Sequence, residues 1–185
     1  MKKNIFLTGS PSSGKTAVIK QVIENLNVPV NGFYTEEERE SNLRVGFLIT
    51  TIDGKQCRLA HRDIDSVYSL IRYGVSIKNI ECEAVPSIAP VDTNVIILDG
   101  IGKMQCFSKV FRRAVIKALD SSNIVIGTIS PGEDNFIMKI MKRKDVEIHE
   151  VTWNNRRLLP DFILKKITNL LMINEKKFPT GKKTV

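Results

Sequence analysis

Gly9-Ser10-Pro11-Ser12-Ser13-Gly14-Lys15-Thr16, entered from the apolar run Ile5-Phe6-Leu7, decides how the rest of this chain is read. Two glycines bracket four residues, so the backbone can curl and aim successive N–H groups at phosphate oxygens. The helix that follows adds its positive N-terminal end. In such a loop Lys15 reaches the β- and γ-phosphates and Thr16 holds Mg²⁺. The flanks fit: Val18, Ile19, Val22, Ile23 and Leu26 fall on one face of a helix beginning near Thr16. A strand, a phosphate loop and a helix in succession argue for an α/β domain that binds a nucleotide.

The remaining bounds are consistent with that reading. At 185 residues the chain suits one domain, expected to span 1–174, with a basic tail at 175–185 expected to be disordered. Only a three-residue apolar run precedes Thr8, and no apolar segment approaches spanning length, so no signal peptide or membrane partner is expected and the default location is cytoplasmic. Cys57, Cys82 and Cys106 are odd in number and widely spaced, which fits reduced thiols. The formal charge is +8, but the basic residues are scattered. Nucleic acid is therefore not the expected partner, and a monomer that binds nucleoside triphosphate is.

Along the chain, a short strand is expected at Gly32–Thr35, followed by the acidic run from Glu36 to Glu40, and then a hairpin of 44–52 with 55–60 around Asp53-Gly54. Ile64, Val67, Tyr68 and Ile71 have helix-like spacing, which predicts a helix over 61–73. Pro86 and Pro90 argue against a long helix in 75–91. Val95-Ile96-Ile97-Leu98 and Ile124–Ile129 read as buried parallel strands. Helices are expected over 107–119, after Asp134 as a cap, and from Pro160, with a strand at 146–151. The expected architecture is a mainly parallel sheet flanked by helices, with one inserted β-hairpin.

Asp99 ends the buried strand 95–98, where phosphate-loop proteins place the aspartate that holds Mg²⁺ together with the loop hydroxyl, here Thr16. Lys15 and Asp99 are thus the first catalytic candidates. A group to orient or deprotonate water is also needed. The residue beside Asp99 is Gly100, so Glu37, at the strand edge beside Arg39, becomes the third candidate, with Glu133 and Asp134 behind it.

These residues resemble the thermostable-type nucleoside-triphosphatases, a family of small P-loop enzymes. The likeness spans nearly the whole chain. It rests on Gly9-x-Pro11-x-x-Gly14-Lys15-Thr16, Gly32-Phe33-Tyr34-Thr35-Glu36-Glu37-x-Arg39, Arg44-x-Gly46-Phe47, Leu59-Ala60, Tyr73-Gly74-Val75, Asp99-x-Ile101-Gly102-Lys103-Met104 and Asn155-Arg156. It implies a RecA-like α/β fold and Mg²⁺-dependent hydrolysis of ATP, GTP and other triphosphates. It also implies a nucleotide site drawn from Gly9 to Thr16 with Arg39, Gly100, Ile101, Gly102, Asn155 and Arg156. The sequence departs from the family at Gly100, where a glutamate is usual, at Gln105, where an acid is usual, and at Ser12 and Arg157. Gly100 leaves other readings open: a nucleotide-binding protein with little turnover, a small-molecule or nucleoside kinase, and a nucleic-acid-coupled ATPase.

Overall fold

The computed structural model describes residues 2–91, 95–132 and 134–177. Nine strands form one sheet. They are β1 (Asn4–Thr8), β2 (Val30–Glu40), β3 (Leu43–Thr51), β4 (Gln56–His61), β5 (Ser69–Leu70), β6 (Tyr73–Val75), β7 (Val95–Ile101), β8 (Ile124–Ile129) and β9 (Val146–Glu150). Their order is β5-β6-β4-β3-β2-β7-β8-β1-β9. Strands β2, β7, β8, β1 and β9 run parallel, whereas β2 through β6 pair antiparallel.

The continuous apolar runs divide by parity, because successive side chains leave a strand on opposite faces. Ile5, Leu7, Val95 and Ile97 join one core with α1 (Lys15–Glu24) and α7 (Leu159–Lys177). Phe6, Ile96 and Leu98 join the other core, with α5 (Lys109–Asp120) and α6 (Asn135–Met141). Burial on both faces is why these strands carry no polar alternation. The short helix α4 (Lys103–Cys106) links β7 to α5. Among the described residues, no helix is long and apolar enough to cross a membrane.

Four expectations are corrected. The strand expected at Gly32–Thr35 is longer and runs through the whole acidic run to Glu40. Lys20 pairs with Glu36 at 2.5 Å, Arg44 with Glu37 at 2.8 Å, Arg58 with Glu38 at 2.7 Å and Arg62 with Glu40 at 2.6 Å, so the glutamates are matched by bases on neighbouring elements. The inserted hairpin is therefore larger than expected. A second turn at Ser41-Asn42, with φ of 47° and 66°, joins β2 to β3 and extends the sheet by four antiparallel strands, β3 to β6.

Second, 61–73 is not helical. The Ser66 hydroxyl accepts from Tyr68 N and donates to Val75 O, an alternative to helical bonding that turns the chain into β5 and β6. Val67 and Ile71, the supposed core positions, are 94% and 88% exposed. Third, 77–87 is continuously helical, as α2 (Ile77–Asn79), a π-helical turn (Ile80–Ala84) and α3 (Val85–Ser87). Pro86 follows directly on the π-helical turn, as the second residue of α3. Fourth, α7 continues to Lys177, beyond the boundary expected at 174. The remainder of the tail, 178–185, lies outside the described residues, as does Glu133.

Candidate active site

β1 delivers the chain into the phosphate loop at the C-terminal edge of the parallel strands. Gly9 and Gly14 take φ of 137° and 100°, a region that side chains disfavour, and Gly14 caps α1. A methyl on Gly9 would also stand 2.6 Å from the Val151 carbonyl oxygen. The loop closes through Ser13 N donating to Ser10 O at 3.2 Å. Lys15 Nζ folds back over it, donating to Gly9 O at 2.9 Å and Ser10 O at 2.8 Å. Burial lowers the Lys15 pKa, and the Asp99 charge opposes that shift.

Asp99 is 2% exposed. Its Oδ1 accepts from the Thr128 hydroxyl at 2.5 Å, while Oδ2 is buried without a protein partner. Burial pushes the carboxyl above its ordinary range; the hydroxyls of Thr128 and Thr16 and the charges of Lys15 and Lys20 pull the other way. Thr8 Oγ1 and Ser13 Oγ, within and beneath the loop, are also buried without partners. An orphaned carboxylate oxygen beside a threonine hydroxyl is the donor set a hard cation takes, with phosphate and water oxygens filling the other positions. Thr16 and Asp99 therefore fit Mg²⁺. Among the described residues, no cluster of three or more His, Cys, Asp or Glu offers a closed metal site.

Gly100 is set by its neighbour. The β7 to β8 register skips it, and a methyl there would lie 2.3 Å from Thr128 Oγ1, the hydroxyl that holds Asp99. The position of the usual glutamate is thus closed by a threonine on the adjoining strand.

A cleft of about 990 Å³ opens between the loop and the β2–β3 hairpin, bounded by Lys15, Glu37, Arg44, Lys103, Gln105 and Ser130 among others. Glu37 faces this cleft but is held by Arg39 Nη2 at 2.5 Å and Arg44 Nη1 at 2.8 Å. Burial alone would raise its carboxyl; the bonds from the two arginines outweigh that and hold it below its ordinary range. Arg39 itself spends its donors on Glu37 and the Asn42 carbonyl.

On the far side of the loop, Gly14, Ala17, Gln21, Arg156 and Arg157 border a smaller hollow of about 220 Å³. The Arg156 guanidinium lies 3.8 Å from the centre of the exposed Trp153 ring. Asn155 has a supporting place: its side chain accepts from Thr152 N and donates to Glu150 O, fixing the turn that presents Arg156. Ile101 is fully buried core, so its side chain faces no cleft. Asp134 caps α6 and pairs with Arg112 at 3.0 Å, which leaves it no place in the site.

The structure thus gathers Gly9 to Thr16, Asp99, Gly100 and Gly102 at one sheet edge. It adds Arg44, Gln105, Thr128 and Trp153, to which sequence reasoning gave no role. Arg44 and Gln105 did stand inside or beside quoted motifs. Thr128 carried no signal, because only the register of β8 brings it to Asp99.

A glycine-bracketed loop that opens a helix, with a buried aspartate on β7 separated from the loop strand by β8, defines a P-loop nucleotide-binding protein of RecA-like α/β architecture. A model of the NTPase family matches residues 4–164, and the chain belongs to that family. It is 41% identical over 172 residues to the nucleoside-triphosphatase THEP1 of Thermotoga maritima, covering 92% of this chain and 96% of the relative. It is 34% identical over 182 residues to the cancer-related nucleoside-triphosphatase of Homo sapiens, covering 88% and 96%. The crystal structure of THEP1 from Aquifex aeolicus superposes with a TM-score of 0.81 at 33% identity, covering 89% of this chain and 98% of that one.

Proposed function

We propose that this chain is a Mg²⁺-dependent nucleoside-triphosphatase that converts ATP, GTP and other nucleoside triphosphates to diphosphate and phosphate. The observation that carries the reading is the buried, unpartnered Asp99 Oδ2, close to Thr16 and to the Lys15 ammonium. A carboxylate so placed is costly unless a cation joins it. The family match and the names of the relatives support the same reaction.

In this reading the loop N–H groups and the start of α1 bind the phosphates. Lys15 turns from the Gly9 and Ser10 carbonyls to the γ-phosphate, where it stabilises charge as the phosphoryl group transfers. Thr16 and Asp99 would hold the metal, which would supply positive charge to offset that of the phosphates. Arg156 over Trp153 gives the base a flat partner that reads no base edge, which suits broad substrate use. Glu37 and Arg44 border the γ-phosphate side as a fixed pair. The three free cysteines support a reduced, cytoplasmic setting, and the working unit is a single copy acting on free nucleotide.

A second reading, a nucleotide-binding protein with little turnover, is favoured by Gly100 and the Thr128 hydroxyl that closes its side. Phosphate release from ATP and GTP, with and without Mg²⁺, separates the two. Metal-dependent release well above a Lys15→Ala control is expected. Tight nucleotide binding with no release above that control would select the second reading.

A further inference from the structure

The α4 residue Gln105 is 6% exposed, yet its carboxamide bonds no group among the described residues. It opens on the cleft that Lys15 and Ser10 border. Its Oε1 lies beside Gly102 and near Ser130: a methyl on Gly102 would stand 3.2 Å from Gln105 Oε1 and 3.8 Å from Ser130 Oγ. The carboxamide therefore sits in α4 just past the end of β7, five residues beyond Gly100. The side chain is mostly buried while its carboxamide is left open to whatever the cleft holds, water or phosphate oxygens included.

The other acidic groups of the site are engaged or stand farther along the sheet. Glu37 is bound by two arginines, and Asp134 is a helix cap. Glu150 also borders the cleft, but from the end of β9, three strands from β7 across β8 and β1, whereas Gln105 directly follows the strand that carries Asp99. A glutamine has the donors and acceptors the task requires. Oε1 accepts a hydrogen from water while Nε2 donates to a phosphate oxygen. Glutamines do this in other P-loop hydrolases.

The geometry points to Gln105 as the residue that orients the attacking water, taking the place of the carboxylate that Gly100 cannot carry. This rests on the hydrolase reading above. The water oxygen forms its bond to the γ-phosphorus as the bond from phosphorus to the β,γ-bridging oxygen breaks. The diphosphate leaves with that electron pair, and the water proton departs on the released phosphate. Gln105 is neutral and takes no proton.

The test uses Gln105→Leu, which keeps the volume and removes both polar groups, and Gln105→Glu, which keeps an acceptor and can titrate. Steady-state release with Mg²⁺ and ATP is read beside the affinity for a non-hydrolysable triphosphate. Gln105→Leu should lower kcat about 100-fold with affinity within about twofold, the order expected for one transition-state hydrogen-bonding group. Gln105→Glu should retain turnover and acquire an acid limb in kcat beyond any that the parent shows. If Gln105→Leu keeps the parental kcat, or Gln105→Glu shows no new pH limb, the assignment is wrong while the hydrolase reading stands. If the parent releases no more phosphate than Lys15→Ala, both fail together.

Discussion

The two walls of the main cleft carry charge in opposite ways. The loop wall of β1, α1 and β7 leaves Asp99 Oδ2, Ser13 Oγ and Thr8 Oγ1 without partners and parks Lys15 on its own loop carbonyls. The hairpin wall of β2 and β3 has its charges matched without a ligand, Glu37 by Arg39 and Arg44 of the same wall, Glu36 by Thr50 and by Lys20 from α1. Burial pushes Asp99 up, whereas arginines hold Glu37 down. One wall is incomplete without a ligand and the other is complete without one. An incomplete wall is where substrate binding releases free energy, and a complete wall supplies shape and a fixed field.

The largest effect that could break this contrast is at Asp99. Asp99→Asn should reduce phosphate release by about 100-fold or more, as expected when a metal ligand at a phosphoryl site is lost. It should at the same time stabilise the ligand-free fold. Because the native pKa is raised, folded protein binds the proton more tightly than unfolded protein. Stability therefore falls as pH rises from the ordinary value of 3.8 through the native one. Removing the titration should raise the ligand-free Tm at neutral pH, each 1 kcal/mol gained giving about 2–4 °C. Calorimetry without and with nucleotide checks both halves, and an Asp99→Asn variant destabilised at neutral pH would contradict the first wall's description.

Next in size is Gly100→Glu. The motif alone suggests that restoring the glutamate raises turnover. A side chain at 2.3 Å from Thr128 Oγ1 instead predicts a loss of about 1–3 kcal/mol from overpacking, without faster release. Adding Thr128→Ala should recover part of that loss, since the two sites share one space and cannot be additive. Urea denaturation of the two single variants and the double variant reads the coupling.

The smallest effect belongs to the hairpin wall. Glu37→Gln should change kcat by no more than about threefold, because the carboxylate is bound by arginines and is not free to act as a base. Its signature is in acid. A depressed native pKa gives stabilisation that is complete above the ordinary value of 4.5 and is lost as pH falls through the native one. Acid unfolding of Glu37→Gln should therefore lack that component, the reverse of the change at Asp99.

The same contrast explains what could be read beforehand. The parallel half was legible because Ile5-Phe6-Leu7, Val95–Leu98 and Ile124–Ile129 are buried on both faces, and the loop has a spacing that backbone geometry demands. The antiparallel half was not. Glu36 to Glu40 looks like a solvated charged face until Arg58 and Arg62 are brought beside it. Ile64, Val67, Tyr68 and Ile71 mimic a helical face whose members Val67 and Ile71 are in fact exposed. In the site, Lys15, Thr16 and Asp99 followed from local rules. Thr128 beside Gly100 and Gln105 within the cleft depend on inter-strand register and on a short helix after β7, which no local spacing encodes.

The central claim is that the loop wall is completed by triphosphate and metal. A crystal structure of the full chain with a non-hydrolysable triphosphate and Mg²⁺ tests it most directly. The account predicts Lys15 Nζ released from the Gly9 and Ser10 carbonyls onto the phosphates, a cation on Thr16 Oγ1 and the Asp99 side, and a water beside Gln105. A phosphate chain bound elsewhere, with Lys15 still on its carbonyls and Asp99 Oδ2 still alone, would contradict it.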